Sequence, residues 1–256
     1  MSIHPTAVID KKAKVDSSVE VGAYAVIGEN VEISANCKIG IHTKLDNCRI
    51  GEGSRIDSLT AIGGDPQYLN LKPVPSLVVI GKDVWINELI TIHRSIYENG
   101  ETSIGDRCMI MSNSHIAHDC NYANDVVHVT STAVGGHVTV EEHAMISAVV
   151  GVHQFVRIGA YSMIGGVSRI VQDVVPFMLV EGSPARTRAV NSVGLKRKGF
   201  SVKARGNVKK AYKILFHSGH PKNVAVEEIK KIDDSEGEIK RLIDFLTSTK
   251  RGIIGA

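Results

Sequence analysis

Residues 115–120 read HIAHDC: His115 and His118 stand three apart, and Asp119 follows the second histidine directly. Two imidazoles and a carboxylate so placed can bind a transition metal, serve as a general base with an acid to orient it, or simply decorate a solvated surface. The choice among these depends on the element that carries them.

That element is set by a six-residue period. Ile9, Val15, Val21, Ile27, Ile33, Ile39 and Leu45 fall six apart, the series resumes at Ile50 and again at Ile80, and it then runs unbroken from Ile104 to Ile170. Gly often follows the apolar residue, as at Gly22, Gly40 and Gly135, and a small or β-branched residue often stands four places after it, as at Ala25, Cys37 and Ser114. Neither a helix nor an isolated hairpin repeats at six. A short strand with a tight corner does, and three such units close a triangular coil that stacks on the next at about 4.8 Å. The apolar residue then points to the axis, and Gly is expected to supply the turn dihedrals. The expected fold is an all-β left-handed parallel β-helix over residues 1–188. Pro, Gly and Asn interrupt it near 63–79 and 97–103, and long excursions from a rigid scaffold are where binding groups tend to sit. Tyr122 and His128 occupy axis positions and are read as structural.

From about residue 189 to 256 the period gives way to helical signals. Val208, Ala211, Tyr212, Leu215 and Phe216 make an apolar face that Gly219 and Pro221 end. Ser235 with Glu238 predicts a capping box ahead of Ile239, Leu242 and Leu246. Such helices carry too little apolar surface to fold alone, so they should pack on the β-helix or on a neighbouring subunit. The net charge of +3 is unevenly spread: residues 1–185 carry 13 Lys+Arg against 20 Asp+Glu, residues 186–256 carry 17 against 7. An acidic partner is expected at this basic tail, with no nucleic acid. Cys37, Cys48, Cys108 and Cys120 form no CxxC pair and read as buried reduced thiols. With no leader and no membrane span, a cytoplasmic protein is expected.

A coil of 18 residues turns scattered residues into neighbours. His118, Gly136 and Gln154 form one column, and Asp119, His137 and Phe155 the next. His153 stands one place before Gln154, so His118, Gly136, His137 and His153 converge on one patch. His115 lies on the approach to the corner and His93 on a lower coil. Zinc would need about three N or S ligands and an open position, as γ-class carbonic anhydrases arrange on this fold, but Gly136 and Gln154 supply no ligand suited to it. A general base would use His118 to deprotonate a sugar hydroxyl attacking a thioester, Asp119 to hold the tautomer and stabilise the imidazolium, and the Gly136 N–H to receive the oxyanion. That route requires no Ser or Cys nucleophile, metal or cofactor.

ITIHRSI (90–96), HIAHDC (115–120), GGHVTV (135–140), VHQF (152–155), VQDVVPFMLVEG (171–182) and NSVGLKRKGF (191–200) closely resemble the UDP-N-acetylglucosamine O-acyltransferases of lipid A biosynthesis, across nearly the whole chain. The resemblance implies a homotrimer with active sites between subunits, passing a 3-hydroxyacyl chain from acyl carrier protein to the glucosamine 3-position of UDP-N-acetylglucosamine. It makes His118 the base and Gly136 the oxyanion donor. It places Gln67, His115, His137, His153, Gln154, Asn191 and Arg197 along the donor and nucleotide sites, with His93 a further candidate for substrate contact and Gly166 where the family's acyl-chain ruler sits. The chain departs from the family pattern at Tyr68, where an Asp is usual, at Asn70 in place of a Lys, at Val193 in place of a Glu, and at Lys198 in place of an Arg. A 3-amino sugar nucleotide, giving N-acylation, is the alternative acceptor.

Overall fold

The computed structural model describes residues 2–256. Hexads fold into two-residue strands joined by corners, and every third strand pairs in parallel register with the one a coil below. The strands form three sheets of eleven, nine and eight strands, the three faces of a left-handed parallel β-helix. The hexad aliphatics fill the axis: Ile27, Leu45, Ile56, Ile86, Ile116 and Ile146 are all 1% exposed or less.

Two axis residues break the aliphatic pattern and satisfy each other. The Tyr122 hydroxyl donates to His128 Nδ1 at 3.1 Å, and His128 Nε2 donates to the Thr132 carbonyl at 3.3 Å. The ring is fully buried, and burial pushes its pKa down to about 4. The four cysteines are buried and free; the thiols of Cys37, Cys108 and Cys120 each donate to a carbonyl at a corner.

The repeat glycines owe their place to something other than turn dihedrals. The left-handed corners are held by non-glycine residues, among them Asn113, Asp119, His137 and Phe155, all near φ +60°. Gly40 is instead needed because the next coil passes too close: a Cβ there would lie 2.6 Å from the backbone N of Ser58. Coil stacking over-determines the backbone, so the corners hold side chains in a region they otherwise avoid.

The first excursion is shorter than the sequence implies, and the second keeps its expected length but starts and ends three residues earlier. Ala61–Gly64 and Leu77–Ile80 are strands, leaving 65–76 as the first loop, and Glu101–Ile104 is a strand that bounds the second at 94–100. Arg94, 8% exposed, ties the first loop down: Nη2 meets Asp65 Oδ1 at 2.8 Å, and Nη1 donates to Ser76 Oγ at 2.8 Å and to the Val74 carbonyl.

Met178–Gly182 is the last parallel strand of its sheet, and Ala185–Val190 folds back on it as an antiparallel hairpin over the top coil. Residues 252–255 lace onto it, with Ile254 N donating to Asp173 O and Thr187 N to Gly255 O. Four helices follow: α1 (Ser192–Arg197), α2 (Val202–His217), α3 (Lys222–Ile229) and α4 (Glu238–Ser248). Val208 and Ala211 of α2 and Leu242 and Leu246 of α4 are buried. The capping box ahead of α4 takes another form. Gly237 is the N-cap residue, the Asp234 carboxylate accepts from the N–H groups of Ile239 and Lys240, and Glu238 folds back to accept from Ser235, Glu236 and Asn207. Charge-assisted acceptors outcompete the Ser235 hydroxyl for those donors.

Candidate active site

His118 sits at the corner after strand His115–Ile116, 7% exposed. Its Nδ1 lies 2.7 Å from Asp119 Oδ2. A carboxylate only accepts, so in the neutral ring the proton is on Nδ1 and Nε2 carries the lone pair. Among the described residues no group hydrogen-bonds Nε2. Asp119 is held in turn by the second loop: Ser95 Oγ donates to Oδ1, the Ile96 N–H donates to Oδ2 at 3.3 Å, and the Asp119 N–H donates to Thr102 Oγ1 at 2.7 Å.

Gly136 stands one coil above the imidazole. A Cβ there would lie 2.6 Å from His118 Cε1 and 2.8 Å from Nε2, so only glycine leaves the ring its place. Among the described residues the Gly136 N–H donates to no protein acceptor, which leaves a backbone donor free beside Nε2.

A cleft of about 610 Å³ opens over this pair. Gln67, Tyr68 and Asn70 of the first loop form one wall, and His115, with His153 and Gln154 two coils above it, forms another. His115 Nδ1 is 2.8 Å from Thr91 Oγ1, and the His93 ring meets it edge-on at 5.1 Å. Burial, reinforced by the two neighbouring imidazoles, pushes the His115 pKa down to about 4, so the ring is neutral near pH 7. Burial likewise lowers His93, whose Nδ1 is buried with no hydrogen-bond partner. His153 is exposed, with Nδ1 3.1 Å from the Gln154 carbonyl.

Other expected site residues lie outside this cleft. His137 stacks face to face on Phe155 at 4.5 Å, meets His118 edge-on at 5.1 Å, and keeps Nδ1 4.0 Å from Asp119 Oδ2; burial lowers its pKa. Asn191 caps α1, its Oδ1 accepting from Gly194 N at 3.1 Å while Nδ2 donates to the Tyr161 carbonyl at 2.9 Å. Arg197 lines a separate cleft of about 580 Å³ with Ser192, Val193, Lys196 and Arg205. Gly166 is exposed on a higher coil, where a Cβ would meet only Ala148 O at 3.3 Å and Ser147 Oγ at 3.8 Å.

Two residues absent from the expected set touch His118 and Asp119. Ser95 fixes Asp119, and the Tyr68 ring meets His118 edge-on at 5.8 Å. Ser95 lies 24 residues before Asp119, not 18, because the second loop lengthens that coil. The register Thr91↔His115 carries the same offset. Counting from the restart of the hexads at Ile104 would have exposed it.

Ligand atoms of His118, Asp119 and His137 lie within 4.8 Å of one another, the spacing of a metal cluster. Their protons are wired otherwise. Both Asp119 oxygens accept hydrogen bonds, and His118 Nδ1 is itself a donor, so a cation would have to displace each of these. The arrangement is that of an oriented base: Asp119 can hold the tautomer and stabilise an imidazolium, while Nε2 faces the cleft.

Known proteins resemble this chain over nearly its whole length. A profile described as UDP-N-acetylglucosamine O-acyltransferase, domain 2, matches residues 173–254, and one described as a GMPPB C-terminal domain matches residues 1–99. An acyl-(acyl-carrier-protein)–UDP-N-acetylglucosamine O-acyltransferase of Thermodesulfovibrio yellowstonii is 43% identical over 253 residues, 98% of each chain. The solved structure of LpxA from Acinetobacter baumannii superposes with a TM-score of 0.95 at 36% identity, covering 98% of this chain and 99% of that one. A UDP-N-acetylglucosamine acyltransferase of Francisella novicida superposes with a TM-score of 0.95 at 34% identity, covering 99% and 94%. An axis-built coil, an oriented base and near full-length likeness point the same way: the chain belongs to the acyl-(acyl-carrier-protein)–UDP-N-acetylglucosamine O-acyltransferase family.

Proposed function

We propose that this chain transfers a 3-hydroxyacyl group from acyl carrier protein to the glucosamine 3-hydroxyl of UDP-N-acetylglucosamine, the first step of lipid A biosynthesis, by direct general-base catalysis. The observation that carries the reading is the 2.7 Å His118–Asp119 hydrogen bond beneath an unused Gly136 N–H, in a chain of this family. The names of the relatives supply the two substrates.

His118 Nε2 takes the proton of the sugar hydroxyl as its oxygen attacks the thioester carbonyl. Asp119 steadies the imidazolium that forms, and the Gly136 N–H donates to the tetrahedral oxyanion. Collapse breaks the C–S bond, and His118 returns the proton to the departing carrier thiolate. An ester and a free thiol result, with no covalent enzyme intermediate. Neutral His115, with Gln67, His153 and Gln154, offers hydrogen bonds to substrate in the cleft, and His93 and His137 pack behind His115 and His118 respectively.

Gly166, Asn191 and Arg197 line no part of that cleft within one chain, which fits a site completed by a neighbouring copy. An outward row of apolar side chains, Trp85, Met109, Val127, Met145, Met163 and Leu179, runs in register up one sheet and supports a homotrimer. The helical unit from 189 onward, rich in unpaired cations, suits an acidic carrier protein. Among the described residues no helix is long and apolar enough to cross a membrane, and a cytoplasmic setting accords with the free thiols.

The test is acyl transfer from a 3-hydroxyacyl carrier protein to UDP-N-acetylglucosamine and to its 3-amino analogue, by wild type and His118→Ala. The expected result is turnover on the hydroxyl acceptor that falls at least about a hundredfold in the variant. An unimpaired variant would remove His118 from its role. Turnover on the amine alone would move the reaction to N-acylation.

A further inference from the structure

The cleft over His118 continues past Gln154. It shares His115, Gly135, Val152 and His153 with a second groove of about 460 Å³, walled mainly by apolar groups, that climbs the same face of the β-helix. Its floor is a single outward column in register on four consecutive strands: His115, Ala133, Gly151 and Arg169. A Cβ at Gly151 would meet nothing within 4 Å, so between the imidazole at one end and the guanidinium at the other the floor is almost bare. Arg169 is exposed and, among the described residues, makes no hydrogen bond or ion pair.

We infer that Arg169 is the specificity-determining residue that sets the length of the transferred acyl chain. The inference rests on the acyl-transfer reading above. With the thioester carbonyl at the Gly136 N–H, the hydrocarbon must leave the cleft along apolar surface, and this groove is the apolar surface continuous with it. Two inter-strand steps and a lateral offset of up to three residues separate Gly136 from Arg169, about 10–14 Å. At about 1.3 Å per methylene that is room for roughly eight to eleven methylenes. A longer tail must push the guanidinium aside or strip its water without pairing it. The position implied for the family's ruler, Gly166, has no side chain here, while Arg169 carries a long one three residues along the same coil. The stop has moved from the corner to the strand.

The experiment measures kcat/KM of wild type, Arg169→Gly and Arg169→Lys on UDP-N-acetylglucosamine, with 3-hydroxyacyl carrier proteins of 10, 12, 14 and 16 carbons. Wild type is expected to prefer chains of about 12 carbons or fewer, losing roughly tenfold or more for two carbons beyond its optimum. Arg169→Gly should move the optimum out by at least two carbons, and Arg169→Lys should keep the wild-type profile. Turnover with an unchanged length profile in Arg169→Gly overturns this inference and leaves the acyl-transfer reading standing. Absence of wild-type turnover with every chain overturns both.

Discussion

A Cβ on Gly136 would stand 2.6 Å from Cε1 and 2.8 Å from Nε2 of His118. In the proposed reaction the glycine therefore serves His118 twice, by leaving its N–H free one coil above and by making room for the ring. Gly136→Ala is expected to displace the imidazole and cut kcat about a hundredfold or more, with the melting temperature little changed. Steady-state kinetics with a thermal melt would check it; a variant with near wild-type kcat would show that the ring can move aside without cost.

Asp119 holds His118 in one tautomer, and Ser95 holds Asp119. Asp119→Asn presents an amide that can donate to Nδ1 and so places the proton on Nε2, the wrong nitrogen for a base. A kcat loss of roughly a thousandfold with little change in KM is expected. Ser95→Ala should cost less, about tenfold, because the Ile96 N–H still fixes the other oxygen. The ratio of the two losses separates tautomer control from simple positioning.

Arg94 joins Asp65, Val74 and Ser76, the two ends of the loop that carries Gln67 and Tyr68. Arg94→Met leaves those acceptors unpaired and should release the loop while the coils stay folded. The expected signs are new protease cuts confined to residues 65–76 and a KM for the sugar nucleotide raised about tenfold. Cuts elsewhere would mean that Arg94 supports the coil itself.

His128 is neutral inside the axis, with its pKa at about 4. The unfolded chain, with an ordinary imidazole near 6.5, binds an extra proton between those values, so stability is lost as pH falls from about 6.5 to 4. The contribution of His128 is on the order of 3 kcal/mol when fully expressed. His115, also near 4, acts in the same direction. The double variant Tyr122→Ile with His128→Ile restores the aliphatic axis without orphaning the tyrosine hydroxyl. Its urea midpoint should fall distinctly less than wild type between pH 6.5 and 4.5.

The hexads made the coils legible because a β-helix repeats one local solution, and the column His118–Gly136–Gln154 followed from the same arithmetic. What lay beyond reach was whatever departs from 18. Ser95 is 24 residues from Asp119, and Tyr68 reaches His118 from a loop that the period does not describe. Helix α3 opens on Pro221 with no side-chain cap and spans only two turns, so its pattern was too short to read. The corner dihedrals escape the sequence for a related reason. Stacking, a property of neighbouring coils, fixes them, whereas the sequence of one corner shows only which residues tolerate them.

The antiparallel hairpin at residues 178–190 matters for a reason outside catalysis. A stack of parallel coils is a filament by construction, and each open end is a template on which another copy could grow. At the top the strand Ala185–Val190 runs backwards and the segment 252–255 consumes further edge groups, so no parallel strand can continue there. Growth of the stack is terminated on that side. The hairpin is the stop written into an otherwise periodic polymer.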